Sequence, residues 1–342
     1  MSNEREQSHS TRGMNYARPA AASHRKQLAV VIINFRTPDL VADCLQSLLG
    51  QLDPSTHAVV VVDNASDDGS VARLEQWIAD KDNQGLVRLV SSQRNLGFSG
   101  GNNLGIASCA AEFYLLLNSD TIVRPGAVAT LLATAQRFPE AGMVSPRLEW
   151  PDGRPQESCF RFPTPVSELI GAASTGPITR MLDGFDVPLR VSDTIVRPSW
   201  TSFACVLVRG ELLDRIGRMD EGFFLYFEDV ELCLRARRAG WDIVHNPQAR
   251  VVHLRGGTSP VKQLAARRKA LPRYYYESRA RYFYVAHGRL GLTLANCLWW
   301  LGRCVSKGRE LLGRPSALPQ RQWRDIWTNW RRPDVPWSHP NC

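Results

Sequence analysis

The feature that most limits how this chain can fold is an alternation, between residues 28 and 117, of short apolar segments with amphipathic ones. Segments that are apolar throughout predict strands buried on both sides, and the amphipathic segments carry apolar residues at helical spacing. Such an alternation predicts an α/β fold, with a mostly parallel sheet and helices on both faces. The predicted strands are 28–33, 58–62, 86–90 and 113–117, and the predicted helices are 38–49, 70–78 and 102–109.

Polar residues follow each of these predicted strands. Because ligands bind beyond the carboxyl ends of the strands in parallel sheets, these positions are candidate binding residues. They are Asn34, Asp63, Asn64, Asn95, Asn118, Ser119 and Asp120. The Asp120 carboxylate is an oxygen ligand of the kind that Mg²⁺ or Mn²⁺ accepts beside diphosphate oxygens. A simple turn after a strand would explain residues 118–120 equally well.

The rest of the chain is less regular. Residues 143–200 are rich in Pro and Gly and allow no assignment, whereas 201–209 predicts a strand and 229–240 a helix. Residues 1–27 lack the apolar stretch of a secretory signal, and we expect a disordered tail there. Eight cysteines without a CxxC pair indicate reduced thiols in a cytosolic compartment.

Two further segments carry groups suited to acid–base or metal chemistry. Glu228, Asp229 and Glu231 follow an aromatic segment at the start of a predicted helix. Acidic residues in a first helical turn are common because they complement the helix dipole, but burial beside aromatic rings would raise a carboxyl pKa towards that of a general base. His253 ends an apolar segment, where a structural role and a metal-ligand role are both open.

The glycine-rich segment 95–105 suggests a phosphate-binding loop, but its spacing matches neither GxGxxG nor GxxxxGK[ST]. The dinucleotide-fold and P-loop interpretations are therefore excluded. A glycine-rich turn before a helix can still bring the backbone close to a ligand.

The charge is divided unevenly along the chain. Residues 255–342 contain 17 Lys and Arg against 4 Asp and Glu, whereas residues 28–254 are net acidic. The basic segment interleaves Arg with Tyr and Phe, which suits either stacking on single-stranded nucleic acid or an interfacial helix on anionic lipid. The Leu- and Trp-rich run at 290–301 favours the membrane surface, although it is too short to predict a membrane span.

Six segments, taken in order over residues 29–259, resemble family 2 glycosyltransferases of the GT-A fold, and within them the rhamnosyltransferase-like branch. They are VVIINFRTPDLVADCLQSL, VVVVDNASDDGS, RNLGFSGGNNLGI, YLLLNSDTIV, MDEGFFLYFEDVELCLRARRAGW and VVHLRGGTS. The resemblance implies a catalytic domain at 28–256. Composition adds the expected disordered tail at 1–27 and a basic, aromatic-rich, helical, membrane-associating extension at 257–342, where the resemblance thins. Three positions depart from the usual pattern, namely Asn118, Phe203 and Glu231.

The resemblance also implies roles for individual residues. Asp229 would be the general base, supported by Glu228, and Asp120 with His253 would bind Mg²⁺ or Mn²⁺. Asp63 would bind the base of the donor nucleotide. The implied donor site consists of Asn34, Asp63, Asn95, Gly97, Asn103, Asn118 and Ser119.

The implied function is inverting transfer of a sugar, with L-rhamnose from dTDP-rhamnose as the first choice. The acceptor would be a lipid-linked or cell-surface glycan such as a polyprenyl-diphosphate-linked one, reached from the cytoplasmic face of an anionic membrane, and no nucleic acid is expected. The alternatives are a hexose or galactofuranose from a UDP donor, or a non-catalytic nucleotide- or nucleic-acid-binding protein. A nucleotidyltransferase would need a Gly-rich, basic loop after the first strand, where this chain has NFRTPD.

Overall fold

The computed structural model describes residues 25–82, 85–255, 261–314 and 318–337. Residues 1–24 of the expected disordered tail lie outside this range. The first strand begins at Lys26 and so includes the last two residues of the predicted tail. The predicted domain boundary at 256–257 and the GGTS part of the last motif also lie outside the described residues.

The order of elements follows the predicted alternation at the start of the chain. The strands are β1 (Lys26–Asn34), β2 (His57–Asp63), β3 (Val87–Ser91), β4 (Ala111–Asn118), β5 (Thr121–Val123), β6 (Ala141–Glu149), β7 (Cys159–Phe160), β8 (Trp200–Thr201), β9 (Cys205–Arg209) and β10 (Asp242–His253). The helices are α1 (Pro38–Leu49), α2 (Ser70–Lys81), α3 (Gly97–Ser108), α4 (Ala127–Arg137), α5 (Pro165–Ala173), α6 (Gly176–Met181), α7 (Gly210–Ile216), α8 (Glu228–Arg238), α9 (Val261–Ala266), α10 (Arg273–Leu311) and α11 (Gln322–Asp325).

One mixed sheet organises the described part of the chain, with the strand order β3-β2-β1-β4-β9-β6-β10-β5. Strands β3, β2, β1 and β4 are parallel to one another, as are β6 and β10, whereas β9 and β5 run antiparallel to their neighbours. The predicted mostly parallel α/β sheet is therefore confirmed. In the pairing of β1 with its neighbours, Asn34 lies opposite Asp63, and Ile33 lies opposite Asn118. The polar strand ends therefore meet at one edge.

Helices cover both faces of the sheet, because the strand side chains are apolar on both sides. On one face, α1, α2 and α4 pack on the sheet through buried residues such as Leu45, Leu74 and Leu131. On the other face, α3, α7 and α8 contribute buried residues such as Ile106 and Leu232. This two-sided burial explains why the central strands carry no polar face.

The structure differs from the predicted elements at three places. Helix α3 begins at Gly97, so that the glycine-rich segment forms its first turns rather than a loop before residue 102. The predicted strand 201–209 is divided into the end of β8 and the separate strand β9. The unassigned region 143–200 contains most of β6, a strand inside the sheet, as well as α5 and α6.

The C-terminal segment is helical, as predicted, and packs on the rest of the molecule. Helix α10 is interrupted at Gly288, where the backbone leaves the helical region. Before Gly288, Tyr282 and Phe283 share a buried cluster with Phe223 and Val230. Helix α10 also packs on α5 on both sides of the break, through the Arg279–Glu168 ion pair before it and Gly302 after it. None of the described helices combines the length and apolar character needed to cross a membrane.

Candidate functional site

At the carboxyl ends of β1 and β2, a largely buried hydrogen-bond network connects three of the predicted donor-binding residues, Asn34, Asp63 and Ser119. The Asn34 amide donates to Asp63 Oδ1 over 2.7 Å and to Ser66 Oγ over 3.1 Å. The Ser66 hydroxyl donates to the same Asp63 oxygen over 2.6 Å. The Thr37 amide donates to Asn34 Oδ1, and the Thr37 hydroxyl lies 3.1 Å from the Ser119 hydroxyl. The network therefore fixes the orientation of the Asp63 carboxylate.

Local backbone geometry brings Ser66 back to Asp63. Both Ala65 and Asp67 adopt the left-handed conformation, with φ angles of 57° and 51°. The chain therefore turns sharply after β2, and the Ser66 amide donates to Asp63 Oδ2 over 3.2 Å. This turn could be recognised in the sequence only as a cluster of Asn, Ser, Asp and Gly after a strand.

The next side chain, Asn64, holds the start of helix α3. Its amide donates to Asn95 Oδ1 over 3.1 Å and to the Gly97 carbonyl over 3.0 Å. Its own oxygen accepts from the Leu96 amide over 2.9 Å. Asn95 and Gly97, both predicted donor-site residues, are thereby fixed beside the end of β2. Asn118 closes the same edge of the sheet, and its carbonyl accepts from the Thr121 hydroxyl over 2.7 Å.

The two predicted metal ligands lie side by side. Asp120 follows β4, and His253 is the last residue of β10, paired with Thr121 of β5. The Leu254 amide donates to the Asp120 carbonyl over 2.9 Å. As a result, His253 Nε2 lies 3.5 Å from Asp120 Oδ1, and both side chains are buried.

This pair fits a divalent cation. A carboxylate oxygen and an imidazole nitrogen at this separation can both reach one ion at ligand distances of about 2.0–2.2 Å. His253 Nδ1 is buried and has no hydrogen-bond partner among the described residues. Within the same part of the chain, no group of three or more His, Cys, Asp or Glu side chains could hold a metal unaided. Oxygen ligands from outside these side chains would complete the ligand set of such an ion.

The loop before helix α8 presents the predicted base in a strained backbone. Tyr226 and Phe227 have positive φ angles of 72° and 68°. Two successive left-handed residues with large side chains cost about 1–3 kcal/mol each and persist only where their surroundings fix them. The Phe227 ring lies 5.7 Å from that of Tyr275 and 5.6 Å from that of Tyr282, both on helix α10. The C-terminal helix therefore holds the turn that delivers Asp229.

Glu228 and Asp229 have different surroundings although they are adjacent. Glu228 is buried, and its Oε2 atom has no hydrogen-bond partner in the described part of the chain. Burial, followed by the neighbouring Asp229 charge, raises the pKa of Glu228 well above its usual range. Asp229 is only half-buried, at the first turn of α8. The two adjacent carboxyl groups therefore differ in burial, and the buried one, Glu228, has the raised pKa.

Helix α3 and the base-bearing loop are joined directly. The Phe98 amide donates to the Phe224 carbonyl over 2.7 Å. The Asn103 amide donates to the Met219 carbonyl and to Glu221 Oε1, both over 2.9 Å, and its oxygen accepts from the Met219 amide over 3.1 Å. Asn103 thus contacts the loop at 219–221, and its contribution to a donor pocket stays a prediction.

Four further residues organise the site, and of these only Asn64 is marked by the sequence as a candidate binding residue. Ser66, Asn64 and Thr37 fix the strand-end network described above. The Gln156 amide donates to the His253 carbonyl over 2.7 Å and so holds the end of β10 from the irregular region. The first three follow or adjoin predicted strand ends, which is a usable signal. Gln156 lies in the unassigned segment, and nothing in the local sequence marks it.

A cleft of about 310 Å³ opens beside β10, with Gln156 at its border. The residues in its lining include Arg147, Gln156, Ser158, Arg161, Arg190 and His245. Burial lowers the pKa of His245 to about 4, so that its ring is neutral near pH 7. Among the described residues, no predicted site residue lines this cleft. The cleft is therefore distinct from the Asp120–His253 pair.

Comparison with known proteins identifies a family that matches most of this chain. Residues 24–277 match the family described as glycosyltransferase like family 2. An N-acetylglucosaminyl-diphospho-decaprenol L-rhamnosyltransferase of Mycobacterium tuberculosis is 28% identical over 298 residues, which are 81% of this chain and 91% of that protein. The low-salt glycan biosynthesis hexosyltransferase Agl10 of Haloferax volcanii is 27% identical over 220 residues, 63% of each chain.

Solved structures share the architecture. A crystal structure of GalNAc-T7 with UDP, GalNAc and Mn²⁺ aligns with a TM-score of 0.55 and 14% identity, over 77% of this chain and 48% of that one. The mannosyltransferase PcManGT of Pyrobaculum calidifontis, in complex with GDP-Man and Mn²⁺, aligns with a TM-score of 0.51 and 14% identity, over 91% and 87%. At this level of identity the likeness concerns the fold alone, and it confirms the GT-A architecture.

Proposed function

The chain belongs to glycosyltransferase like family 2, and on that premise we propose that it transfers a sugar from a nucleotide diphosphate donor with inversion at the anomeric carbon. The observation that carries the proposal is the Asp120–His253 pair, whose side-chain atoms lie 3.5 Å apart at the edge where the strand ends meet. The ordered Asn34–Asp63–Ser66 network lies at the same edge of the sheet.

Asp120 and His253 would hold Mg²⁺ or Mn²⁺. Such an ion would neutralise charge on the departing nucleoside diphosphate, as a Lewis acid does. Mn²⁺ occurs in the structures of GalNAc-T7 and PcManGT, which supports a divalent cation without identifying it for this chain.

The chain's own residues divide the remaining work. We assign binding of the donor to Asn34, Asp63, Asn95, Gly97, Asn103, Asn118 and Ser119. Asp229 takes the proton of the acceptor hydroxyl as that oxygen attacks the anomeric carbon, and the bond to the diphosphate oxygen breaks with its electron pair on the leaving group. Glu228, whose pKa is raised by burial, supports Asp229 from the adjacent position. This is a single displacement, which inverts the configuration of the sugar.

We propose L-rhamnose, carried by dTDP, as the sugar. Support comes from the rhamnosyltransferase of Mycobacterium tuberculosis, which aligns over most of both chains. The name of that relative specifies a lipid-linked acceptor, and we propose a polyprenyl-diphosphate-linked or cell-surface glycan here. The enzyme would then work at the inner face of the cell membrane. The Haloferax volcanii hexosyltransferase supports a second candidate, transfer of a hexose from a UDP donor.

Calorimetric titration of the full chain with dTDP and UDP, each with and without Mn²⁺, tests the proposal. We expect metal-dependent binding, with dTDP preferred if the sugar is rhamnose. Asp120→Asn should weaken binding in the presence of Mn²⁺ by about tenfold or more, since it removes a charged ligand. Asp80→Asn, at an exposed position on α2, is the matched control and should bind as the wild type does.

Binding of neither nucleotide to the folded protein, with metal present, would contradict a transferase function. Equal binding with and without Mn²⁺ would leave the donor site but remove the metal from the proposal. A preference for UDP would move the assignment to the hexosyl alternative.

A further inference from the structure

Beyond Gly288, helix α10 exposes a continuous apolar face. Leu290 is 87% exposed, Leu294 50% and Leu301 55%. These positions recur at helical spacing, so that they lie on one side of the helix. We call this face the apolar stripe, and its members are Leu290, Leu294, Cys297, Leu301, Cys304, Val305, Leu311 and Leu312, of which the last directly follows the helix.

The opposite side of the helix fixes the orientation of the stripe. Leu292, Ala295 and Trp299 are buried on that side. Gly302 lies so close to α5 that an added Cβ would come within 2.4 Å of the Leu169 carbonyl oxygen. The helix therefore cannot rotate to bury the stripe without breaking its contact with α5. The stripe is an outward surface of the folded chain.

Positive charge and tryptophan border the stripe. Residues 289–337 contain 9 Lys and Arg against 3 Asp and Glu. On one flank, a groove of about 350 Å³ is lined by Trp300, Arg303, Cys304, Lys307 and Trp323. The rings of Trp300 and Trp323 lie 6.2 Å apart, so that α11 contributes to the same surface. Leucines flanked by tryptophan and by cations are the composition of helices that lie in a membrane interface.

We propose that the apolar stripe docks on the surface of an anionic phospholipid bilayer. Helix α10 would lie flat, with the leucines among the acyl chains, the tryptophans at headgroup depth and the cations against lipid phosphates. From Leu290 to Leu311 the helix extends about 32 Å, which is long enough for a surface contact. A second copy of this chain fits the stripe less well, because pairing two stripes would bring the cationic flanks of both copies together. The inference rests on the proposed function in one respect: docking would bring the proposed lipid-linked acceptor within reach of the site.

The first half of α10 links this surface to the candidate site. Tyr275 and Tyr282, before the break at Gly288, hold the turn at Phe227 that delivers Asp229. The Ser278 hydroxyl donates to the Leu225 carbonyl over 3.2 Å in the same loop. A bilayer bound to the second half of the helix therefore has a defined position relative to the base.

Flotation of the full chain with phosphatidylcholine vesicles, with and without phosphatidylglycerol, tests the docking surface. We expect binding that requires the anionic lipid and shifts the tryptophan emission to shorter wavelength. The double variant Leu294→Glu/Leu301→Glu should lower the vesicle partition coefficient by about tenfold or more, since it places two charges where apolar burial is expected. Val191→Glu, at an exposed apolar position in the cleft beside β10, is the matched control and should bind as the wild type does.

A charge variant tests the flank separately. Lys307→Glu/Arg324→Glu should lower binding to phosphatidylglycerol-containing vesicles while keeping the leucines in place. Unchanged binding of the leucine variant, in protein that remains helical by circular dichroism, would overturn the proposal. So would a wild-type dimer that becomes a monomer in that variant by analytical ultracentrifugation, because the stripe would then be an interface between copies.

Titration with dTDP and Mn²⁺ separates this result from the proposed function. Both leucine and charge variants should bind the nucleotide as the wild type does, because none of the substituted residues belongs to the proposed donor or metal site. A chain that binds vesicles but no nucleotide would contradict the transferase function and leave the docking surface standing.

Discussion

The two sides of the candidate site are built by different means. On the donor side, the polar residues end adjacent parallel strands, and Asn34 and Asp63 meet because their strands are in register. On the base side, Asp229 follows two strained residues whose rings pack on a helix that begins about 45 positions later in the chain. One side follows from local periodicity and the other from long-range packing.

Because of this difference, the strand-end network and the loop that carries Asp229 can be altered independently of each other. The donor network consists of hydrogen bonds between close neighbours in the sheet, and each bond contributes about 1 kcal/mol. The base loop has two anchors, one on helix α3 through Phe98 and Asn103 and one on helix α10 through Tyr275 and Tyr282. Variants that cut one anchor at a time should therefore disturb the base side and leave the strand-end network intact.

The largest expected effect is a loss of transfer rate without a loss of donor binding. Asp229→Asn should lower the rate of transfer by about a thousandfold, because it removes the proposed general base. Donor binding should be retained, since the donor residues lie on other elements. Steady-state release of nucleoside diphosphate, with calorimetry of dTDP binding, measures both quantities.

Glu228→Gln is the isosteric comparison for that variant. The amide resembles the protonated carboxyl that burial favours, so that a clearly smaller loss of rate is expected. An equal or larger loss than in Asp229→Asn would contradict the division of roles between the two residues.

The next largest effect concerns the contact between α3 and the base loop. At Gly97, an added Cβ would lie 2.3 Å from the Phe224 carbonyl oxygen, and φ is +68°. Gly97→Ala should therefore lower the free energy of unfolding by about 3 kcal/mol, from overpacking together with backbone strain. Gly126→Ala has a similar φ of +79° with open space around the Cβ, and should cost about 1 kcal/mol. If urea titrations gave Gly97→Ala and Gly126→Ala equal losses in the free energy of unfolding, the close contact at Gly97 would be refuted.

Asn103→Ala tests the second bond of the same anchor. It removes hydrogen bonds to the buried backbone of Met219 and should lower the free energy of unfolding by about 2 kcal/mol. Asn102→Ala is the neighbouring control. Among the described contacts, the Asn102 side-chain amide bonds only to the Phe98 carbonyl of its own helix, so that this variant should lower the free energy of unfolding by less than about 1 kcal/mol. If the two variants were equally stable, the bridge to the base loop would be unimportant.

The smallest expected effect probes the anchor on α10. The Tyr282 hydroxyl donates to the Pro163 carbonyl over 3.1 Å in a buried position. Tyr282→Phe keeps the ring beside Phe227 and should lower the free energy of unfolding by about 1 kcal/mol. Tyr284→Phe, at a half-buried ring beside Arg289, should change it by less. A large loss of transfer activity in Tyr282→Phe would show that the hydroxyl, as well as the ring, controls the base loop.

The sequence by itself determined where the proposed donor residues of this protein lie. Strands that are apolar on both faces can be satisfied only by a sheet covered on both sides, and their parallel order puts Asn34, Asp63 and Asn118 at one edge. The resemblance of six segments then gave the family, which the match over residues 24–277 confirms. The predicted roles of individual residues stay predictions.

Only the tertiary structure decided the base side. Several features depend on contacts between residues far apart in the chain. They are strand β6, the interruption between β8 and β9, the hydrogen bond from Gln156 to His253, and the packing of the α10 tyrosines on Phe227. Local propensity records periodicity within one element, and it contains no information about which distant side chain will hold a strained turn. The turn that carries Asp229 is therefore specified by packing that forms only when the whole domain is folded.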